Sequence, residues 1–256
     1  MLKDIIESFK NWLREQYPVL IPIPVRKQDI KNGGSHPGLN RYESINLLCV
    51  LLISWMMLPG IAFAQSASNG SAANEKTILF LGDSITAGYG LDETQAFPAL
   101  IESKIQEKGY KYRVINAGLS GDTSSGGLRR IDWLLRSQID ILVLELGAND
   151  GLRGIDLAVT KQNLQKIIDQ AKAKNPKLKV VIAGMQVPPN LGDAYTKQFR
   201  EIFPALAKSN NATLIPFLLE GVAGNSSLNL PDGIHPNVSG HTILANNVWN
   251  VLSGIL

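Results

Sequence analysis

Ser84, Asp232 and His235 are the residues whose types and spacing admit covalent chemistry. A serine hydroxyl is a poor nucleophile until a base takes its proton. Ser84 stands in Gly82-Asp83-Ser84-Ile85-Thr86, directly after the apolar run TILFLG. It reads either as a helix N-cap, a position that serine favours, or as a nucleophile. The choice of base is narrow, because only His235 and His241 follow Ala64. His241 falls inside a predicted helix and reads as a surface or packing residue. His235 lies in the loop Pro231-Asp232-Gly233-Ile234-His235-Pro236, three residues after Asp232. A short turn brings that carboxylate to the imidazole, where it would fix the tautomer and stabilise the imidazolium formed on attack. Asp232-Gly233 is also an ordinary turn dipeptide, so the spacing alone leaves both readings open.

Acyl transfer also needs donors for a tetrahedral oxyanion. The backbone N–H of Ser84, the backbone N–H of Gly118 and the side-chain amide of Asn149 are the candidates. Without a side chain, the Gly118 backbone can approach a substrate closely.

These residues need a scaffold that gathers them. From Thr77 on, short apolar runs alternate with helical periodicity. TILFLG, YRVINAG, IDILVLELG, LKVVIAGM and ATLIPF read as five strands. IDILVLELG reads as apolar on both faces, as a central parallel strand should. Between the strands, apolar residues recur at helical spacing: Phe97, Leu100, Ile101 and Ile105; Leu128, Ile131, Leu134 and Leu135; Leu164, Ile167, Ile168 and Ala171; Phe199, Ile202, Phe203 and Leu206. A closing helix is predicted from Val238 to Leu252. The alternation predicts βαβ units and a parallel sheet with helices on both faces. Ligands bind such sheets beyond the carboxyl ends of the strands. There the sequence places Gly82-Asp83-Ser84, Asn116-Ala117-Gly118, Gly147-Ala148-Asn149-Asp150 and the Asp232–His235 loop.

The four clusters resemble the sequence blocks of the SGNH (GDSL-type) hydrolase family. Gly82-Asp83-Ser84-Ile85 stands for the first block, Gly118 for the glycine block, Gly147-Ala148-Asn149-Asp150 for G-x-N-D, and Asp232-Gly233-Ile234-His235 for D-x-x-H. The match spans residues 77 to about 252. GDSITAGYGL, NAGLSGDTSSGGLRR, LGANDGLRG and DGIHPN are most similar to the bacterial periplasmic arylesterase, acyl-CoA thioesterase I and lysophospholipase subgroup. The resemblance implies a flavodoxin-like three-layer α/β/α sandwich with a five-stranded parallel sheet. It implies a Ser84, Asp232, His235 triad, an oxyanion hole of Ser84, Gly118 and Asn149, and no metal or organic cofactor. Ala148 departs from the pattern, since close relatives often carry glycine there.

Composition narrows the partners. The 256 residues carry 25 Lys plus Arg against 22 Asp plus Glu, a net +3. That excess is too small to argue for nucleic acid. The one cysteine, Cys49, excludes an intrachain disulfide and cysteine-ligated zinc. Residues 45–64 form an apolar run after Arg41 that ends in Ala62-Phe63-Ala64, the layout of a secretory signal peptide. Cleavage after Ala64 would leave Gln65 first, giving a periplasmic or secreted protein that meets the export machinery only in transit. The alternative is an inner-membrane anchor over 45–64. Residues 1–64 are thus read as an extension with signal peptide or anchor, 65–76 as a flexible mature N-terminus and 77–256 as the hydrolase domain. The expected substrates are small-molecule or lipid esters and thioesters, met by a monomer. The rivals are a carbohydrate O-acetyl esterase of the same family, a nucleotide- or flavin-binding module and an inactive binding protein. Asp83 would repel a phosphate in the first βα turn, which speaks against the nucleotide module.

Overall fold

Strand β1, Lys76–Gly82, is buried at every residue after its exposed lysine. Strand β3, Ile141–Glu145, is buried throughout. A strand covered on both faces has no solvated side for polar residues, which is why both read as continuous apolar runs. With β2, Tyr112–Gly118, β4, Lys179–Ala183, and β5, Thr213–Ile215, they form one sheet in the order β2-β1-β3-β4-β5. All four pairings are parallel. This is the flavodoxin-like strand order, whose switch point lies between β1 and β3. The register sets Gly82 beside both Gly118 and Glu145, so β1, β2 and β3 end level.

The connecting helices are α1 (Ser84–Ala87), α2 (Phe97–Glu107), α3 (Ser124–Leu134), α4 (Ala148–Leu152), α5 (Leu157–Lys174), α6 (Asp193–Asn210) and α7 (Val238–Leu252). Helix α2 packs with α7, while α3 packs with α5 and α5 with α6. The computed structural model describes residues 75–188 and 191–256. The expected signal peptide or anchor and its cleavage site lie outside them. Among the described residues no helix is long and apolar enough to cross a membrane.

Three local readings are corrected. Strand β5 stops at Ile215 rather than running through Phe217. Pro216 has no N–H to donate to a ladder. Helices α1 and α4 open directly after β1 and near the end of β3, and at four and five residues they are too short to show a periodicity. Ser84 does not cap α1. Asp83 is the cap, its side chain accepting the Ile85 N–H at 3.0 Å.

His241 is a packing residue, as expected, but a buried one rather than a surface one. Helix α2 has no side-chain cap of its own. Its Phe97 N–H donates instead to His241 Nδ1 at 3.1 Å, and the imidazole stacks on the Phe97 ring. The ring must stay neutral to accept. Burial, followed by the nearby charge of His235, pushes its pKa down to about 4. An unfolded histidine takes up a proton at ~6.5, so the stability due to neutral His241 is complete above that pH. It is lost as pH falls toward 4, a loss of roughly 3 kcal/mol. Urea unfolding of wild type and His241→Asn at pH 7 and pH 4.5 checks this. The gap between them narrows at the lower pH, because an Asn oxygen can accept the same N–H without titrating.

Candidate active site

Strand β1 ends at the point where the sheet order reverses, and the tight Asp83-capped turn presents Ser84 there. The Ser84 side chain is nearly covered, with its residue 9% exposed. Its Oγ lies 2.9 Å from His235 Nε2. His235 Nδ1 lies 2.7 Å from Asp232 Oδ2. A continuous chain thus runs from hydroxyl to imidazole to carboxylate. The two ends of that chain are about 150 residues apart in sequence and meet through the loop between β5 and α7.

The loop is built to hold this geometry. Asp232 Oδ1 accepts the N–H of Ile234 at 2.8 Å and that of His235 at 3.0 Å. Gly233 takes a left-handed φ of 70°, which lets the chain fold back over the carboxylate. The Leu230 N–H donates to the His235 carbonyl at 2.7 Å, closing the loop on itself. One carboxylate oxygen therefore fixes the backbone and the other faces the ring. Burial alone would raise the Asp232 carboxyl. The backbone N–H and ring of His235, and the N–H of Ile234, outweigh that and hold it below its ordinary value. Tyr89 lies against the other side of the site, its ring 4.5 Å from the imidazole.

The candidate oxyanion donors converge on the same edge. The Ser84 N–H makes no hydrogen bond among the described residues. Asn149 sits one residue inside α4, just past β3, and its Nδ2 donates one hydrogen to Asp83 Oδ2 at 3.0 Å. That leaves its second hydrogen available. The Gly118 N–H is engaged by Asn116 Oδ1 at 2.9 Å, and a second acceptor must share it. Glycine at 118 also has a packing role. A Cβ there would lie 2.1 Å from the Ala87 nitrogen, so the glycine lets α1 pack against the end of β2.

A single edge thus holds a serine hydroxyl, an imidazole within hydrogen-bond distance of it, the carboxylate that faces the imidazole and three candidate oxyanion donors. Residues 80–243 match the model of the GDSL-like lipase/acylhydrolase family. The chain belongs to this family. The esterase TesA of Pseudomonas aeruginosa is 43% identical over 185 residues, 72% of this chain and 91% of that protein. The thioesterase 1/protease 1/lysophospholipase L1 of Escherichia coli K12 is 40% identical over 175 residues, 68% of this chain and 82% of that one. Among solved structures, the psychrotrophic esterase EstA from Pseudoalteromonas, inhibited by monoethylphosphonate, superposes with a TM-score of 0.67 at 32% identity, covering 70% of this chain and 98% of its own. This GDSL-like hydrolase is accordingly an enzyme of the ester-cleaving class, with the expected α/β fold.

All five residues singled out in the sequence meet at this edge. Sequence reading missed what supports them. Glu145 is buried at the end of β3, where the strand had read as wholly apolar. An acid within the apolar stretch 141–146 was the available signal. Asn116, whose Nδ2 holds the Thr86 carbonyl at 3.0 Å, and Arg130, which bonds Asp122 at 2.7 Å and the Gly82 carbonyl at 2.9 Å, pin the same turn from either side. Among the described residues no group of three or more His, Cys, Asp or Glu side chains is arranged to hold a metal ion.

Proposed function

We propose that this GDSL-like hydrolase cleaves carboxylic esters and thioesters through an acyl-enzyme on Ser84. The observation that carries the reading is the unbroken Ser84–His235–Asp232 hydrogen-bond chain at 2.9 and 2.7 Å. Ser84 Oγ attacks the acyl carbon while His235 Nε2 takes its proton. The oxyanion is received by the Ser84 N–H and the free Asn149 N–H, with the Gly118 N–H shared between it and Asn116. Collapse expels the alcohol or thiol, which leaves with the proton from Nε2. Water then repeats the sequence and releases the acid.

The substrate reading rests on chemistry beside the triad. Leu119 follows Gly118 and is 53% exposed, and Ile234 precedes His235 and is 39% exposed. Two exposed apolar side chains next in sequence to site residues suit an acyl chain better than a sugar. The activities in the name of the Escherichia coli relative, thioesterase and lysophospholipase, point the same way. The test is competition among substrates. An acyl-CoA and a lysophospholipid should each be hydrolysed, and each should inhibit turnover of a p-nitrophenyl ester with Ki equal to its own KM. Hydrolysis without mutual inhibition would mean separate sites.

The enzyme acts outside the cytoplasm as a monomer in this reading, after a signal peptide is removed near Ala64. The layout of residues 41–64 supports it. N-terminal sequencing of periplasmic material should begin at or near Gln65, whereas recovery of the intact run in a membrane fraction would identify an anchor.

A further inference from the structure

Two buried carboxyl groups beside the triad take no part in the proposed reaction. Asp83 and Glu145 are each 1% exposed. They come from adjacent strand ends, and the Asp83 N–H donates to Glu145 Oε2 at 3.1 Å. Thr86 Oγ1 donates to the same oxygen at 2.7 Å. Glu145 Oε1 is buried and has no hydrogen-bond partner among the described residues. Both oxygens of Asp83, by contrast, have donors: Ile85 N–H on Oδ1 and Asn149 Nδ2 on Oδ2. Two adjacent buried carboxyls do not both carry charge, and the one with an unpartnered oxygen is the one that keeps its proton.

We infer that Asp83 is a positioning residue of the oxyanion site, its carboxylate holding the Asn149 amide while a protonated Glu145 lies beside it. The inference rests on the reading of Asn149 as an oxyanion donor. A four-residue helix needs one capping acceptor, and Asp83 Oδ1 supplies it. Its second oxygen reaches across the sheet's switch point to a side chain 66 positions away. Among the described residues that contact is the only hydrogen bond of the Asn149 side chain. It fixes the rotation of the amide and aims the other N–H away from Asp83. The glycine at 82 keeps this layer compact, since a Cβ there would lie 2.0 Å from Thr86 Oγ1 and 2.5 Å from Glu145 Oε2.

The charged surroundings agree with that division of labour. Burial raises the Asp83 carboxyl most, the Ile85 N–H, the His235 charge, Asn149 and Glu145 pull it back, and it settles at about 6. Burial, then the Asp83 charge, pushes Glu145 well above the usual carboxylate range. Arg130 on α3 reaches the Gly82 carbonyl and pairs with Asp122. Asp150 on α4 is turned to Ser124 and Thr160. The charge of the pair therefore sits on Asp83, whose two oxygens both have donors.

A double-mutant cycle on kcat tests the inference. Asn149→Ala alone lowers kcat by about 100- to 1000-fold. Asp83→Asn lowers it by about 100-fold with KM little changed, because an asparagine there cannot accept from both Ile85 and Asn149. The double variant should stay within about threefold of Asn149→Ala, since the two act on one donor. Losses that multiply would overturn the inference while leaving Asn149 as a donor. An unchanged kcat in Asn149→Ala would overturn the donor reading and the inference with it. A second measurement does not depend on how Asp83→Asn folds. In a His235→Ala background, the Asn149 side-chain amide, followed by ¹⁵N NMR, should titrate with a midpoint at or above about 6. An amide resonance flat from about pH 3 to 8, a window that includes the ordinary carboxylate range, would contradict the contact.

Discussion

Replacing Ser84 with alanine lowers kcat for a short p-nitrophenyl ester by about a millionfold, on the precedent that a serine nucleophile and its base act as one unit. The fold survives. The Ser84 hydroxyl makes one hydrogen bond, to His235 Nε2, and the turn around it is held by Asp83, Glu145 and Asn116. Losing one such bond costs about 1 kcal/mol, well inside the stability of a domain this size. His235→Ala should cost as much as Ser84→Ala, and the two together little more. Steady-state kinetics beside thermal unfolding of each variant separates lost chemistry from lost structure. Residual kcat within about 100-fold of wild type in folded Ser84→Ala would require another nucleophile.

Asp232→Asn gives the second large effect, for a reason visible in how its two oxygens are used. The single oxygen of asparagine keeps the backbone N–H groups of Ile234 and His235, because those bonds close the loop. The amide nitrogen then faces His235 Nδ1, donor against donor. The imidazole is driven to the tautomer with its proton on Nε2, which cannot accept from Ser84. The serine-protease template sets the loss near 10,000-fold. We expect somewhat less, since the loop still holds the backbone of His235. Asp232 stays ionised down to low pH, its carboxyl being held below the ordinary value. Its contribution to loop stability is therefore present above the usual carboxylate range and is lost only as pH falls through its own lowered value. The kcat/KM of Asp232→Asn against wild type, both at pH 8, reads the effect. A change of less than about tenfold would mean that Asp232 does not set the tautomer.

The sheet was legible because its central strands are buried on both faces and their apolar runs have no alternation to confuse with a helix. The long helices α2, α5, α6 and α7 carry enough turns to show their period. What stayed hidden is short or depends on contact. Helix α1 is four residues, and the choice between Ser84 and Asp83 as its cap turns on a hydrogen bond no spacing reveals. Gly118 lies at the same edge, and that the Ala87 backbone also requires glycine there is a matter of packing that no spacing reveals. Asp232 and His235 are three residues apart and were found together. Glu145 lies far along the chain from Asp83, and only the level ends of β1 and β3 make them neighbours.

The residue that becomes covalently modified identifies the nucleophile most directly. Monoethylphosphonate, the inhibitor of the Pseudoalteromonas esterase, resembles a tetrahedral acyl intermediate. Treating wild type with an activated ethylphosphonate ester and mapping the digest by mass spectrometry should find one adduct per molecule, on the peptide bearing Ser84, appearing in step with loss of activity. Ser84→Ala should gain no mass under the same conditions. Inactivation with the adduct on any other residue, or full activity retained after Ser84 is modified, would contradict it.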